Sequence, residues 1–550
     1  MTALRHPLWD SGFAAAVDAA IRNVVEFGDT DLFADPIEAR WLQAAPEQAR
    51  QAVLTLHENF RLRRPGRPEV LRALFPVGHS GYRLGTQIDP VWNLYLLSLV
   101  LLAGPAIEPS RPARSREMVY SFRFMAPDER ARIFDPECGW RAFTQRSLQL
   151  AGTHAQAVVC DISDFYHRIG PAAAQAALER TGVHPALAQR IARVLRALDA
   201  DTVGLPIGGP ASRLIAEAVL GQMDELLDKA GVVFCRFVDD IRLFTTTRDA
   251  ALNHLALLSR ELLLRGLSLQ KSKTRILPGR ELAAELAIGQ ALQLGPSKGG
   301  DARPEAGGTN AADLRRLLLA PAQFDPYSGL RAQRDARLEA FAQHPGALPL
   351  LRREFSKSRI NPAVARNMLS ALAFMAENEA EQALLFLLDA RRQSVVLPVV
   401  GKLLTVAGEQ AARLGEAAQV RLREALVALF KRGGALLHLP SSQAQALRVL
   451  QALPPDTAPD TQALWQRVFS QTNEPLVRRE VLLLWGAWGA VDALRAIARG
   501  RRLRTGWEQR ALAWAMAGAG LQVPEPSTAS RSQPSPCGSP WVRWLAVHRA

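Results

Sequence analysis

The chain has 550 residues, 48% of them hydrophobic, and its 67 Lys and Arg outnumber 53 Asp and Glu for a formal net charge of +14. This length predicts about two to four domains, and the apolar content excludes a disordered chain. The basic excess favours a polyanionic partner, and an Arg-rich coding bias accounts for part of it.

The cysteines and the N-terminus exclude other classes of protein. The first twenty residues include Asp10 and Asp18 and lack an uninterrupted apolar core, so we expect no signal peptide and a cytoplasmic location. The most apolar stretch, Leu94–Ala106, is shorter than the roughly 20 residues that cross a bilayer, which predicts a buried helix and no membrane partner. The cysteines have neither CxxC nor zinc-ligand spacing and are predicted to be reduced and structural: Cys138, Cys160, Cys235 and Cys537.

Helical periodicity dominates residues 1–70, and mixed elements follow up to residue 150. Here the pattern predicts a helix over Val91–Leu102 and a short strand over Val119–Phe124.

Residues 155–280 alternate strand and helix signals. A short apolar run with β-branched residues predicts a buried strand at Ala157–Cys160. Helices are predicted over Pro171–Ala200, Ala211–Ala230 and Ala250–Gly266, and a hairpin over Val232–Phe237 and Ile241–Thr246. The order suits an antiparallel sheet covered by helices.

The composition changes near residues 296–312, where Gly-rich sequence predicts a linker. From 313 to 520 the pattern predicts successive amphipathic helices, and two short helices around Trp485–Gly489 resemble a HEAT-type repeat. Such units must stack to bury their apolar faces; an irregular helical bundle is the alternative. Residues 521–550, rich in Pro and Ser, are predicted to be largely disordered.

Three carboxylates stand at strand ends. Asp161 lies at the end of the strand predicted at Ala157–Cys160, and Asp239 and Asp240 occupy the predicted hairpin turn. Singly, each is an ordinary turn residue. Together they fit two-metal phosphoryl transfer, in which carboxylates on adjacent strands hold two Mg²⁺ ions about 3.5 to 4 Å apart.

Four segments follow the order and spacing of the reverse transcriptases, and over about residues 60–290 the chain resembles that family. The segments are Asp161–Ile169, Gly204–Ser212, Arg236–Asp240 and Leu267–Ile276. The resemblance implies an α+β fold, a right-hand polymerase with fingers and palm followed by an all-α HEAT-like repeat domain. The implied boundaries are a helical extension at 1–70, fingers and palm at 71–295, a linker at 296–312, helical repeats at 313–520 and the tail at 521–550.

The family's functional residues carry over by position. Asp161, Asp239 and Asp240 would bind Mg²⁺, with Mn²⁺ as a substitute, and Lys273 would donate a proton to the leaving pyrophosphate. Tyr166 would lie beneath the incoming sugar and select dNTPs; a buried palm tyrosine is the alternative. The other implied substrate-binding residues are Arg123 as a triphosphate clamp, and Gly208, Gly209 and Ser212 in the Gly-rich segment. A surface Arg and a solvated Lys are the alternatives for Arg123 and Lys273.

One departure concerns the template. Many reverse transcriptases have Gln after the Pro of the Gly-rich segment, where this chain has Ile207. An apolar side chain cannot make the hydrogen bonds of an amide, so templates would be handled differently.

A narrower resemblance points to the prokaryotic abortive-infection and defence-associated reverse transcriptases. It is carried by Gly28–Phe33, the pre-palm region through Tyr82–Gly85, and the helical C-terminal region. The sequence lacks a maturase segment, a Val-Thr-Gly signature after the palm and a Cas1-like extension. The resemblance implies an RNA-directed or untemplated DNA polymerase in phage defence.

The implied partners are an RNA template or non-coding RNA, the DNA product, dNTPs, and a second copy of the chain through the helical domain. Some relatives start DNA synthesis from a hydroxyl group of the protein itself. The candidate tyrosines in this chain are Tyr82, Tyr95, Tyr120, Tyr166 and Tyr327. Two other functions stay open: a catalytically inactive palm that serves as an RNA- or protein-binding scaffold, and a mobile-element or CRISPR-associated reverse transcriptase.

Overall fold

The computed structural model describes residues 7–62, 65–78, 81–198, 204–294, 318, 331–500, 503–523, 540–542 and 544–545. These residues divide into two units, each with its own core. The first comprises the described residues within 1–70 and 87–289, and the second comprises the described residues within 71–86, 290–322 and 330–550. The predicted linker at 296–312 and Tyr327 lie outside the described residues.

Ten helices fall in the first part of the chain as far as the structure describes it: α1 Pro7–Phe27, α2 Glu38–Ala44, α3 Pro46–Arg61, α4 Pro90–Ile107, α5 Trp140–Thr153, α6 Pro171–Arg180, α7 Pro185–Leu198, α8 Pro210–Lys229, α9 Arg248–Leu263 and α10 Gly279–Leu294. The strands are β1 Val70–Val77, β2 Gly81–Ile88, β3 Gln156–Asp161, β4 Val233–Phe237, β5 Asp240–Thr245 and β6 Arg275–Pro278.

Helix α4 lies at the centre of the N-terminal helices. It packs against α1, α3, α7 and α8 and is buried around almost its whole circumference, as expected of a helix that is apolar on every side. The Asp89 side chain caps it by accepting the Val91 N–H at 3.2 Å, and Pro90 starts the first turn. With the 3₁₀ turn that continues it, the segment Pro90–Ser110 is long and apolar enough to cross a membrane, but most of it is buried in the protein. The helix is therefore longer than the predicted stretch, and its environment is that of a core helix.

An antiparallel sheet of order β4-β5-β3-β6 forms the palm. Helices α5, α8 and α9 pack against its strands. Strand β3 lies between β5 and β6, and its last residue, Asp161, is opposite Asp240, the first residue of β5. The palm-type antiparallel fold expected from the sequence is confirmed.

Two predictions in this unit are wrong. The helix predicted over 171–200 is two helices, because Gly182 adopts a φ of +87° and ends α6. Val119–Phe124 makes only isolated bridges, from Val119 to Arg236 and from Phe124 to Phe134. Its ladder fails because the Arg111 guanidinium takes the carbonyls of Ser121 and Phe122, at 2.6 and 2.9 Å.

The second unit is rich in helices, as predicted, and begins with the β1–β2 hairpin. Its described helices are α11 Arg331–Ala342, α12 Ala347–Glu354, α13 Pro362–Ala371, α14 Glu377–Leu388, α15 Gln393–Val396, α16 Val400–Ala411, α17 Glu416–Arg432, α18 Pro440–Gln451, α19 Pro459–Gln471, α20 Pro475–Ala487, α21 Val491–Gly500 and α22 Gly506–Gly518. Ten of them pack in two rows: α11, α13, α16, α18, α20 and α22 in succession, and α12, α14, α17 and α19 in succession.

The hairpin and the end of the chain pack within this second unit. Ser441 Oγ donates a hydrogen bond to the Leu74 carbonyl at 2.6 Å, and the Tyr82 hydroxyl lies 3.4 Å from His438 Nε2. Within the tail that was predicted to be largely disordered, the described Trp541 is buried, with its ring centroid 6.1 Å from that of Trp514.

Candidate active site

The carboxylates meet where β3 and the β4–β5 hairpin end side by side. The hairpin turn consists of Val238 and Asp239, because Phe237 pairs with Asp240. The Ile162 N–H donates to the Asp239 carbonyl at 3.2 Å, which fixes the turn against the end of β3. The structure thus brings Asp161, Asp239 and Asp240 to one edge of the sheet, on the adjacent strands that the sequence predicted.

The segment after β5 and α9 returns to the same edge. Gln270 N–H donates to the Asp161 carbonyl at 2.7 Å, and Ile162 bridges to Leu269. This contact places Lys273 Nζ 2.8 Å from Asp161 Oδ2. The regular strand β6 begins only at Arg275, after Lys273, so Lys273 is in the turn that leads into the strand.

The electrostatics show a concentration of negative charge. Burial, with the neighbouring Asp161 charge, raises the pKa of Asp240 to about 6. Burial and the same two carboxylates raise the pKa of the Cys160 thiol to about 12, which makes it an inert structural thiol. Burial alone would lower the pKa of Lys273, but its hydrogen bond to Asp161 and the nearby aspartates outweigh burial and raise it.

The residues fit a divalent metal in type. Oxygen ligands are those that Mg²⁺ prefers, and burial first, then the Asp161 charge, raises the pKa of Asp240 although Arg242 and Lys273 act against them. In the described part of the chain no group of three or more His, Cys, Asp and Glu side chains is close enough to hold a metal ion. The Lys273 ammonium takes an Asp161 oxygen in this arrangement, and its side chain is 63% exposed, so it is free to move away.

The Gly-rich segment packs on the turn that carries Tyr166. Leu205 N–H donates to the Tyr166 carbonyl at 2.8 Å. Gly204 has a φ of +85°, and a Cβ there would overlap the carbonyl oxygens of Tyr166 and His167. Tyr166 is half-buried in a 3₁₀ turn, where burial raises the pKa of its hydroxyl.

Gly208 and Gly209 face a loop of the same chain that sequence analysis had linked only to the narrower resemblance. A Cβ on Gly208, whose φ is +109°, would overlap the Thr30 hydroxyl and the Asp31 carboxylate. Asp31 Oδ2 accepts from Arg213 Nη2 at 3.0 Å, and Gln87 Nε2 donates to Asp29 Oδ2 at 3.2 Å. The loop at 29–31 therefore belongs to this site.

Two predicted substrate-binding residues have buried side chains. Ser212 is buried in the first turn of α8. Arg123 is 1% exposed, and its guanidinium donates to the carbonyls of Val119 and Pro112 and to Glu108. A guanidinium so occupied and buried has no face for a triphosphate, so Arg123 is a structural residue here.

Arg213 was missed by sequence reasoning. Its guanidinium stacks over the Phe122 ring at 5.0 Å and pairs with Asp31, and its charge acts on the hydroxyl of Tyr166. The available signal was its position directly after Ser212, at the start of the helix that follows the Gly-rich segment.

Residues 116–286 match the family model described as reverse transcriptase (RNA-dependent DNA polymerase). This part of the chain is a reverse transcriptase domain. The protein is accordingly an RNA-directed DNA polymerase, a nucleotidyltransferase, and the family generally uses divalent metals such as Mg²⁺. A comparison with the curated proteins finds no match.

Three solved telomerases are similar to the chain at 11% identity and a TM-score of 0.28 each. They are the apo telomerase of Candida tropicalis and, each with a TWJ fragment of telomeric RNA, the telomerases of Candida albicans and Candida tropicalis. The matches cover 66%, 72% and 73% of this chain and 67%, 76% and 68% of the respective telomerase chains. A likeness at this level says nothing about the template or substrate of this chain.

Proposed function

We propose that the protein synthesises DNA from dNTPs by two-metal phosphoryl transfer, with RNA as the template. The observation that carries the proposal is the pairing of Asp161 with Asp240 across the adjacent strands β3 and β5. Asp239 directly precedes Asp240, in the β4–β5 turn. Untemplated synthesis is the alternative that Ile207 favours, because it lacks the amide that many templated relatives have at this position.

The residues of the chain have separable roles in this reaction. Bound Mg²⁺ would lower the pKa of the primer 3′-hydroxyl and offset the charge that develops on the triphosphate. Asp161, Asp239 and Asp240 would hold the ions. Lys273, released from Asp161, would donate its proton to the leaving pyrophosphate. Tyr166, fixed by the packing of Gly204 and Leu205, would exclude a 2′-hydroxyl.

A role in phage defence, as in the prokaryotic abortive-infection reverse transcriptases, is part of the proposal. Its support is the Gly28–Phe33 segment, whose loop 29–31 packs on Gly208 and Gly209. The two rows of helices in the second unit support a HEAT-like solenoid, since each helix buries its face against the next member of its row. Such a solenoid would carry RNA, DNA or a second copy of the chain.

If synthesis is primed by the protein, the exposure of the tyrosines favours some candidates over others. Tyr95 and Tyr120 are buried, and Tyr82 is 51% exposed. Among the described tyrosines Tyr82 is therefore the most accessible candidate for a primer hydroxyl.

The test is incorporation of labelled dNTPs by the purified protein with Mg²⁺, with and without added RNA, followed by nuclease or protease digestion of the product. We expect DNA synthesis that Asp239→Ala abolishes and that Asp249→Asn, an exposed change on α9, leaves intact. RNA dependence and protease sensitivity would identify the template and a protein primer. Synthesis that persists in Asp239→Ala would refute the assigned metal site, and no synthesis under any condition would favour a scaffold.

A further inference from the structure

A chain of six alternating charges connects the pre-palm segment, helix α8 and strand β4, which leads to the hairpin turn. Each charged group contacts the next, in the order Arg123, Glu108, Arg111, Glu217, Arg236 and Asp224, at 2.9, 3.2, 2.7, 2.9 and 2.6 Å. All but Glu108 are buried. Ser121 completes the network by donating to Glu217 Oε1 at 2.5 Å and accepting from Arg236 Nη1 at 3.3 Å.

Stability alone does not explain such a network. Moving ions out of water costs several kcal/mol each, and well-packed apolar residues often serve stability as well or better. Burial lowers the pKa of Arg111 and raises that of Asp224 despite their partners, so desolvation disfavours the charged forms of these two groups, whereas Asp224 and Glu217 raise the pKa of Arg236 against burial. What the ions supply and apolar residues do not is fixed geometry, above all in the fork of Arg236, whose Nε and Nη2 each lie 2.6 Å from an Asp224 oxygen.

Arg236 is fixed through its backbone as well. Its N–H donates to the Met118 carbonyl at 2.8 Å, and its carbonyl accepts the Tyr120 N–H at 3.1 Å. Its Nη1 also lies 3.5 Å from the Val238 carbonyl, within the turn that carries Asp239. Arg236, two positions before the hairpin turn, is therefore held by its side chain on α8, by its backbone on Met118 and Tyr120, and by the Val238 carbonyl.

The turn itself is strained. Val238 has a φ of +55°, a conformation in which a β-branched residue is an outlier. Such strain costs on the order of 1–3 kcal/mol and persists only where surrounding contacts over-determine the backbone. The contacts of Arg236 lie directly beside it.

Both acidic partners come from one helix. Glu217 and Asp224 are seven residues apart on α8, hence on one face, and α8 begins directly after Gly208 and Gly209. Helix α8, which follows Gly208 and Gly209, is thus ion-paired to strand β4, which leads to Asp239 and Asp240.

We infer that Arg236, clamped by Asp224 and Glu217, is a positioning residue that holds the strained turn so that Asp239 and Asp240 face Asp161 for metal binding. The inference rests on the proposed two-metal function and adds a residue to it. Arg236 acts through the turn and touches neither substrate nor metal.

Two variants of the full-length protein test this role. Arg236→Lys keeps the charge but loses the two-pronged contact with Asp224. Arg236→Met combined with Asp224→Leu replaces one ion pair by apolar side chains and leaves Arg111 paired with Glu217, so folding should be preserved. Glu225→Gln, which breaks an exposed pair with Lys229 on the same helix, is the matched control.

The measurements are kcat and KM for dNTP, Mn²⁺ affinity by electron paramagnetic resonance of the free ion, and the thermal unfolding midpoint. We expect the double variant to unfold near the wild-type temperature. Both variants should bind Mn²⁺ more weakly and lose roughly 10- to 100-fold in kcat, with KM within about twofold, because misplaced reacting groups lower the rate of the chemical step. Glu225→Gln should match the wild type in all three measurements.

The outcomes separate this inference from the proposed function. Wild-type kcat and Mn²⁺ affinity in both variants would overturn the positioning role, as would losses that follow only the unfolded fraction. Wild-type protein that binds Mn²⁺ but makes no DNA would refute the proposed function, and the Mn²⁺ affinities of the variants would still decide the role of Arg236.

Discussion

Lys273 illustrates how one side chain would act on two steps of the proposed reaction. Its ammonium lies 2.8 Å from an oxygen of Asp161, the residue that also pairs with Asp240 across the strands. Under the proposed function, a metal ion and Lys273 would therefore compete for the same carboxylate. The same lysine, once displaced, is a cation close to where the triphosphate would lie.

Lys273→Met should separate these two effects. Without the ammonium, Asp161 accepts a metal more readily, and we expect the Mn²⁺ concentration for half-saturation to fall about two- to fivefold, the range for a partly exposed ion pair. The kcat should fall because the proton donor is lost. Titration with Mn²⁺ in the absence of substrate measures the metal affinity, and single-turnover kinetics with substrate measure the rate of the chemical step. Lys271→Met, an exposed change two residues away, should alter neither, and weaker Mn²⁺ binding by Lys273→Met would contradict the competition.

At the scale of elements, the Gly-rich segment joins two parts of the site. Its first glycine, Gly204, packs on the Tyr166 turn, and Gly208 packs on the loop at 29–31. Both glycines have positive φ, so the segment needs them for its backbone as well as for the close approach.

Gly204→Ala should therefore damage both stability and substrate binding. The positive φ and the overlap with the carbonyls of Tyr166 and His167 should destabilise the protein by about 1–3 kcal/mol, and displacement of Tyr166 should raise the KM for dNTP. Thermal unfolding and steady-state kinetics measure these effects. Gly221→Ala is the matched control: a Cβ there meets nothing within 4 Å in the middle of α8, and it should stabilise by about 0.5–1 kcal/mol. A harmless Gly204→Ala would show that the segment tolerates displacement.

The elements that sequence predicts well here are those with a local signal. The β4–β5 hairpin and β3 are apolar runs that end in aspartates, and the register that sets Asp161 opposite Asp240 follows from an antiparallel sheet. The strand predicted at Val119–Phe124 was wrong because the guanidinium of Arg111, from the preceding loop, takes the carbonyls of Ser121 and Phe122. The six-charge network depends on tertiary pairing in the same way, although Glu217, an acid within the apolar run of α8, already indicated a buried partner.

At the scale of the whole molecule, the two units interleave along the chain. The β1–β2 hairpin groups with the second unit, whereas the residues before and after it belong to the first. Its contacts to Ser441 and His438 explain this grouping in part. The hairpin should therefore open together with the helices of the second unit.

Hydrogen exchange in the full-length protein tests this coupling. Leu447→Ala removes a buried side chain of α18, at about 2–5 kcal/mol, and should speed amide exchange in the 71–86 hairpin while β3 and β5 exchange as in the wild type. Leu243→Ala, a buried change in β5, should do the reverse. Mass spectrometry of the labelled peptides reads both. A hairpin that follows Leu243→Ala would assign it to the palm.

The hairpin also determines what a shortened gene would encode. A stop codon after Gly289 removes the helices but leaves residues 71–86 behind, with Leu74 and Tyr82 stripped of Ser441 and His438. If that product were poorly soluble or inactive, the exposed hairpin would explain the defect as well as the loss of the helices would. The hairpin can be removed as well, because its two ends are adjacent: the Asp89 N–H donates to the Glu69 carbonyl at 2.9 Å. Combined with the stop codon after Gly289, a short turn between Val70 and Gln87 would give a minimal polymerase from which all three segments of the second unit are absent.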